Sequence, residues 1–122
     1  MLFKKEWVDA VLDGRKRQTV RLKQPRLKIG RTYAVQTSYY SPARGRIRII
    51  AVRQCTLSSL TDADIRAEGW PAESRDDFET YFAQINHLKP ATMTARDWRG
   101  LRTQPIWCID FEPDDPPPSA QP

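Results

Sequence analysis

At 122 residues the chain can bury one modest core and no more, which argues for a single domain with its function on one cleft or one face. Hydrophobic residues at 39% and charged residues at 29% describe a folded, soluble protein rather than a disordered one, and no apolar run approaches the roughly 20 residues of a bilayer span. The net charge of +5 hides an asymmetry: residues 1–53 hold fourteen lysines and arginines against Glu6, Asp9 and Asp13, whereas residues 54–122 hold six against twelve acidic side chains. Basic faces attract phosphates by steering and counterion release, so the first half is a candidate nucleotide or nucleic-acid surface. A solvated basic surface that serves solubility alone is the plainer alternative.

In chain order, Met1-Leu2-Phe3-Lys4-Lys5-Glu6-Trp7 turns quickly to mixed charge and lacks the apolar core of a secretory signal, so a cytoplasmic location is expected. Phe3, Trp7, Ala10 and Val11 recur at helical spacing and predict a helix over about Lys5–Asp13, closed by Gly14. From Arg17 to Leu22 the pattern alternates as a strand, with Thr19 and Arg21 on one face. Thr32–Gln36 reads as a second strand and Gly45–Arg53 as a long third, with Arg46 and Arg48 opposite Ile47 and Ile49. Ser38-Tyr39-Tyr40-Ser41-Pro42 between them reads as a loop.

Thr61 and Asp64 have capping-box spacing and predict a helix from about Asp62 to Ala67, closed by Gly69. Ser74 and Asp77 repeat that pattern ahead of Phe78, Tyr81, Phe82, Ile85 and Leu88, whose spacing predicts a second helix with an aromatic stripe facing the core. Residues 91–104 are ambiguous; Trp98 among Arg96, Arg99 and Arg102 suits a tryptophan packed on its neighbours better than one stacking on a base. Trp107, Ile109 and Phe111 alternate onto one face of a closing strand. Residues 113–122, rich in proline and aspartate, are expected to be a disordered tail after a domain spanning 1–112. Cys55 and Cys108 lack CxxC spacing and His87 is the only histidine, so two buried reduced thiols are expected, with no metal and no cofactor.

The motif Gly14-x-Lys16-x-x-Thr19-x-Arg21 after an N-terminal helix resembles the signature of the ASCH family, GxKxx(T/E)xR. Lys28-Ile29-Gly30-Arg31-Thr32-Tyr33, Leu60-Thr61 through Ala67-Glu68-Gly69, and Trp107-x-Ile109-x-Phe111 follow in the family's order, so the resemblance spans roughly residues 3–112. It implies an α+β fold, a small PUA-like β-barrel with flanking α-helices. Small bacterial members include an amidohydrolase that deacylates N4-acetylcytidine with a lysine, a threonine and a glutamate. The resemblance places these on Lys16, Thr19 and, eight residues after Leu60, Glu68. The segment from about Pro71 to Gln104 is longer than in the compact amidohydrolases and departs from them.

The chemistry is reasonable on its own terms. A threonine hydroxyl attacks only when a base takes its proton, and a lysine in its neutral form is such a base. Arg15, Arg17 and Arg21 favour loss of the Lys16 proton, and Glu68 opposes it. Glu68 in the last turn of a helix faces the negative end of the dipole, so something else must hold it there. A carboxyl group there can read the cytosine amine edge and assist its departure. Arg21, Arg15, Tyr39, Tyr40, Arg46 and Arg48 are candidate substrate contacts, the tyrosines as stacking faces. The expected partner is a modified cytosine nucleoside or nucleotide, with RNA as an extension, no membrane, and a monomer or weak dimer. The alternative is a non-catalytic RNA-binding module; a ribonuclease is weaker, because His87 stands alone.

Overall fold

The computed structural model describes residues 1–114. Alternating sequence becomes four strands: β1 (Gln18–Arg21), β2 (Thr32–Val35), β3 (Gly45–Cys55) and β4 (Ile106–Pro113). They form one antiparallel sheet in the order β1-β4-β3-β2, curled into a half-barrel with flanking helices. This is the α+β, PUA-like architecture expected. Among the described residues, no helix is long and apolar enough to cross a membrane.

β4 is not a one-faced closing strand. It lies between β1 and β3, so both of its edges are paired, and a core cluster covers each of its faces. Ile109 and Phe111 join Phe3, Val8, Val11, Ile47 and Ile49 on one side, while Ile106 and Cys108 join Val20, Ile65, Phe78 and Phe82 on the other; Trp107 is only half-buried. The register between β3 and β4 shifts between Ile49 and Ala51, leaving Ile50 as the bulged residue. A bulge moves every later side chain to the opposite face. Val52 thereby joins Ile47 and Ile49, and Arg53 turns to the other side of the sheet.

The expected helix over Lys5–Asp13 begins as a 3₁₀ turn, Lys5–Trp7, and continues as α1 (Val8–Asp13). α2 (Asp62–Ala67) carries the capping box at Thr61 and Asp64 as expected. α3 (Arg75–Ile85) starts differently: Ser74 makes no capping bond, because it ends a 3₁₀ turn, Ala72–Ser74, that runs straight into the helix. The ambiguous stretch contains a further helix, α4 (Ala95–Thr103), opened by a capping box of Thr94 and Asp97. Trp98, on α4, is partly buried against the core, with the Arg102 guanidinium 5.2 Å from its ring.

The expected reduced thiols are instead a disulfide. Cys55 and Cys108 stand on the neighbouring strands β3 and β4 with Cα atoms 6.6 Å apart, a proximity that 53 residues of sequence separation conceal. Closing a loop of this length restricts the unfolded chain by about 4 kcal/mol on the chain-entropy relation. Pro113, assigned to the tail, ends β4, and Asp114 after it pairs with Arg48 at 2.7 Å; the rest of the expected tail, 115–122, lies outside the described residues.

Two glycines hold left-handed backbone in different surroundings. A Cβ at Gly69 (φ +98) would fall 2.8 Å from the Trp7 ring, whereas at Gly30 (φ +85) it would meet nothing within 4 Å. Gly30→Ala is therefore expected to cost about 1 kcal/mol for the backbone alone. Gly69→Ala should lose about 2–4 kcal/mol in urea unfolding, because the indole must also move.

Candidate functional site

β1 is an edge strand, so side chains from both of its faces can meet around its open margin. The turn into β1 is set by Gly14, whose φ of +86 ends α1, and by main-chain bonds from Lys16 N to Ala10 O and from Arg17 N to Ala67 O. The second of these lays the start of β1 against the end of α2. Lys16 and Glu68, 52 residues apart, come together there.

Lys16 is 6% exposed and Glu68 2%. Lys16 Nζ donates to Glu68 Oε2 at 2.8 Å and to the Glu68 main-chain carbonyl at 2.9 Å, and it lies 5.0 Å from the Trp7 ring centre. One ammonium thus neutralises the carboxylate and caps the C-terminus of α2, which answers the oddity of a glutamate at that end of a helix. Gln18 Nε2 donates to Glu68 Oε1 at 3.2 Å, and Arg53 donates to Gln18 Oε1 at 3.1 Å, which fixes the orientation of the amide. Arg53 is itself held by Asp64 at 2.7 Å and Asp110 at 3.5 Å. Burial pushes the Glu68 carboxyl above the ordinary glutamate value, while Lys16, Gln18 and Arg21 pull it back.

Trp7 covers the pair. Its Nε1 donates to the Tyr81 hydroxyl at 3.0 Å, and Trp7, Trp70 and Tyr81 pack ring against ring at 5.7–6.2 Å. Gly69 has room for no side chain because the indole occupies that space.

Thr19 is buried but bonds neither Lys16 nor Glu68: its Oγ1 accepts from Arg21 Nε at 3.3 Å. Alternation along β1 sends Gln18 and Val20 to one face and Thr19 and Arg21 to the other, where Arg21 lies 5.7 Å from the Phe3 ring and donates to Leu2 O at 2.9 Å. Arg21 links the two groups, since its charge also acts on Glu68. It forms part of the wall of two adjoining clefts of about 620 and 430 Å³, which Lys16, Thr19 and Glu68 do not line.

The other candidates are spread out. Tyr39 lines the larger cleft, and Tyr40 is fully exposed. Arg15 pairs with Asp13 at the surface. Arg46 donates to the Thr32 carbonyl and hydroxyl, and Arg48 to Gly30 O and Asp114, at the β2 side of the sheet. Gln18, Trp7 and Arg53 were missed as site residues. Alternation gave Gln18 no reason to be buried, and helical spacing assigned Trp7 to ordinary core. Among the described residues, no group of three or more histidine, cysteine, aspartate or glutamate side chains is placed to hold a metal ion.

No family sequence model and no curated protein matches the chain. Solved structures do. An ASCH domain from Lactobacillus crispatus is 16% identical over 86% of this chain and 68% of its own, with a TM-score of 0.61. A protein from Enterococcus faecalis of the family DUF984 is 15% identical over 88% and 69%, also at 0.61. An ASCH protein variant from Zymomonas mobilis is 13% identical over 93% and 69%, at 0.53. The chain has the ASCH-domain fold.

A buried carboxylate stripped of its cation is costly, so Lys16→Met should lose about 3–5 kcal/mol at neutral pH. Glu68 has a raised folded value, so its contribution to stability is full at low pH and is lost as pH rises through that value. The deficit of Lys16→Met should therefore be largest near pH 8 and shrink as Glu68 takes up a proton in acid. Adding Glu68→Gln should remove the pH dependence of the deficit, as read by urea unfolding across pH.

Proposed function

We propose that this protein is an amidohydrolase that removes the acyl group from N4-acylated cytosine or cytidine, with Thr19 as nucleophile, Lys16 as base and Glu68 as proton carrier. The observation that carries the reading is the sealed Lys16–Glu68 pair, whose carboxyl is pushed up by burial. A buried ion pair seldom out-stabilises an apolar pair of the same volume, so its presence here supports a chemical use.

The raised carboxyl lets Lys16 pass a proton to Glu68 and become a neutral amine. Thr19 Oγ then bonds to the acyl carbon as its proton moves to Lys16, restoring the ammonium. The negative oxygen of the tetrahedral intermediate forms within range of Arg21, whose Nε already lies 3.3 Å from Thr19 Oγ1. The carbon–nitrogen bond breaks and the cytosine amine departs with the Glu68 proton. Water then cleaves the acyl-threonine ester by the same relay, returning Thr19, Lys16 and Glu68 to their starting states. Thr19 Oγ1 accepts from Arg21, which leaves its own hydroxyl proton free, so approach of the Lys16 amine to Thr19 is part of the acylation step.

The test is to incubate the purified protein with N4-acetylcytidine and quantify cytidine. Turnover is expected, with losses of about 100-fold or more in kcat for Lys16→Ala, Thr19→Ala and Glu68→Gln. Because Glu68 must be ionised to accept the Lys16 proton, the acid limb of kcat/KM should lie above the usual glutamate range and vanish in Glu68→Gln. Absence of turnover by the wild type, or undiminished turnover by the three variants, overturns the reading.

A further inference from the structure

The two sulfurs that join β3 to β4 stand in unlike surroundings. Cys55, the last residue of β3, is half-buried and lines an open cleft of about 310 Å³ with Gln54, Thr56, Ser59 and Pro105. Cys108 is sealed in the core cluster that holds Val20, Leu57 and Ile106. A thiolate that attacks a disulfide needs a line of approach to one sulfur, and among the described residues Cys55 alone offers it. The residues lining this cleft carry no charge, so an anionic thiol meets no carboxylate on its wall.

The place of the bond in the ladder ties it to the buried ion pair. Cys108 stands opposite Arg53, and Cys55 opposite Ile106. Two residues apart on one strand, Arg53 and Cys55 share a face, as do Cys108 and Asp110 on the neighbouring strand. From that face Arg53 reaches Gln18 Oε1 at 3.1 Å, Asp64 at 2.7 Å and Asp110 at 3.5 Å, and Gln18 in turn holds Glu68. The disulfide thus fixes the strand ends from which the outer part of this chain of contacts is hung. A bond that served only as a staple would be best protected with both sulfurs sealed, whereas accessible disulfides are the ones that exchange.

We propose that Cys55 is a thiolation site, at which a small thiol of the cysteinyl-peptide class opens the Cys55–Cys108 bond and loosens the hold of Arg53 on the Lys16–Glu68 pair. The thiol gives its proton to water and its sulfur bonds to Cys55 Sγ. The bond between the two Sγ atoms breaks, and its electron pair leaves on Cys108 Sγ, which takes up a proton. One thiol enters, and one mixed disulfide and one buried thiol result, so no further oxidant or reductant is required. When the small thiol is scarce, Cys108 attacks Cys55 Sγ in turn and expels it. Placing negative charge on a sulfur in an apolar core is disfavoured, so the bond stays closed until thiol is abundant.

The experiment incubates the purified, oxidised protein with millimolar reduced glutathione in the absence of denaturant and follows intact mass, with peptide mapping to assign the modified cysteine. A single adduct on Cys55 is expected, with Cys108 a free thiol. Tm of the adduct should be lower by about 10 °C or more, since residues 53 positions apart are no longer joined. Cys108→Ala leaves Cys55 as a lone thiol that oxidised glutathione should modify in the folded protein; Cys55→Ala leaves Cys108 sealed and should take up none until urea is added. The wild-type mapping stands whether or not either variant folds. Coupling to the buried pair rests on the amidohydrolase reading: kcat for N4-acetylcytidine should fall by about tenfold or more in the adduct and recover when glutathione is removed. In Arg53→Met the adduct should form as before while kcat no longer responds to it, which separates the route through Arg53 from a general loosening.

Absence of an adduct on the folded protein, an adduct on Cys108 in place of Cys55, or modification only in urea overturns the inference and leaves the bond a fixed staple. An adduct on Cys55 with undiminished turnover, or a response to glutathione that persists in Arg53→Met, overturns the coupling while the hydrolase reading stands. An adduct on Cys55 with lowered Tm and no turnover by either form supports the thiolation site and removes the hydrolase reading.

Discussion

A single ammonium group, that of Lys16, satisfies at once the Glu68 carboxylate and the carbonyl that ends α2, and much of the site follows from that double duty. Stripping two charges of water costs several kcal/mol, and the cost is met only where each charge finds its full set of partners. Gln18 supplies the remaining carboxylate contact, Arg53 orients Gln18, and Asp64 and Asp110 hold Arg53. The chain of contacts runs from a sealed interior to the solvent side of the sheet, so α2, β1, β3 and β4 are fixed relative to one another by polar groups as well as by apolar packing. The Trp7 ring then excludes water from the pair, and the absence of a side chain at Gly69 is what lets it do so.

What could be read from the sequence was what depends on neighbouring residues. The Thr61 and Asp64 cap, the stops at Gly14 and Gly69, and the alternation of all four strands are local patterns with local causes. The Ser74 cap failed for the same kind of reason, since the 3₁₀ turn ahead of it was not visible in the spacing. The remaining errors are non-local. Nothing in Ile106–Phe111 states that another strand lies on each side, and nothing near Cys55 points to Cys108. The bulge at Ile50 is invisible in a run of branched residues, yet it decides which face Arg53 serves. Within the site, the family resemblance named Lys16, Thr19 and Glu68, and it could not say that Thr19 would bond Arg21 in place of Lys16.

The uneven charge of the two halves also acquires a spatial meaning. Several acidic residues of the second half return to cancel basic residues of the first, Asp64 and Asp110 on Arg53 and Asp114 on Arg48. The cations around Arg21 receive no such return. Two arginines singled out in the sequence, Arg46 and Arg48, belong to the compensated side of the sheet, where they tie β3 to β2 and to the segment after β4. Charge in a sequence counts sites, whereas the field at a surface depends on which of them are left uncancelled.

The Cys55–Cys108 bond joins two strands that would be adjacent even if the chain between them were short. In topological terms everything from the 3₁₀ turn at Leu57–Ser59 to α4 is an insertion in a hairpin, pinned at its base and free to vary in length beyond it. α2, at the near end of that insertion, delivers Glu68 to β1; α3 and α4, at the far end, supply His87, Lys89 and Arg96 to a surface cleft. Lineages could lengthen or trim the far end without disturbing the register that positions Lys16. A fold built this way can change what it holds along its surface while conserving what it keeps buried.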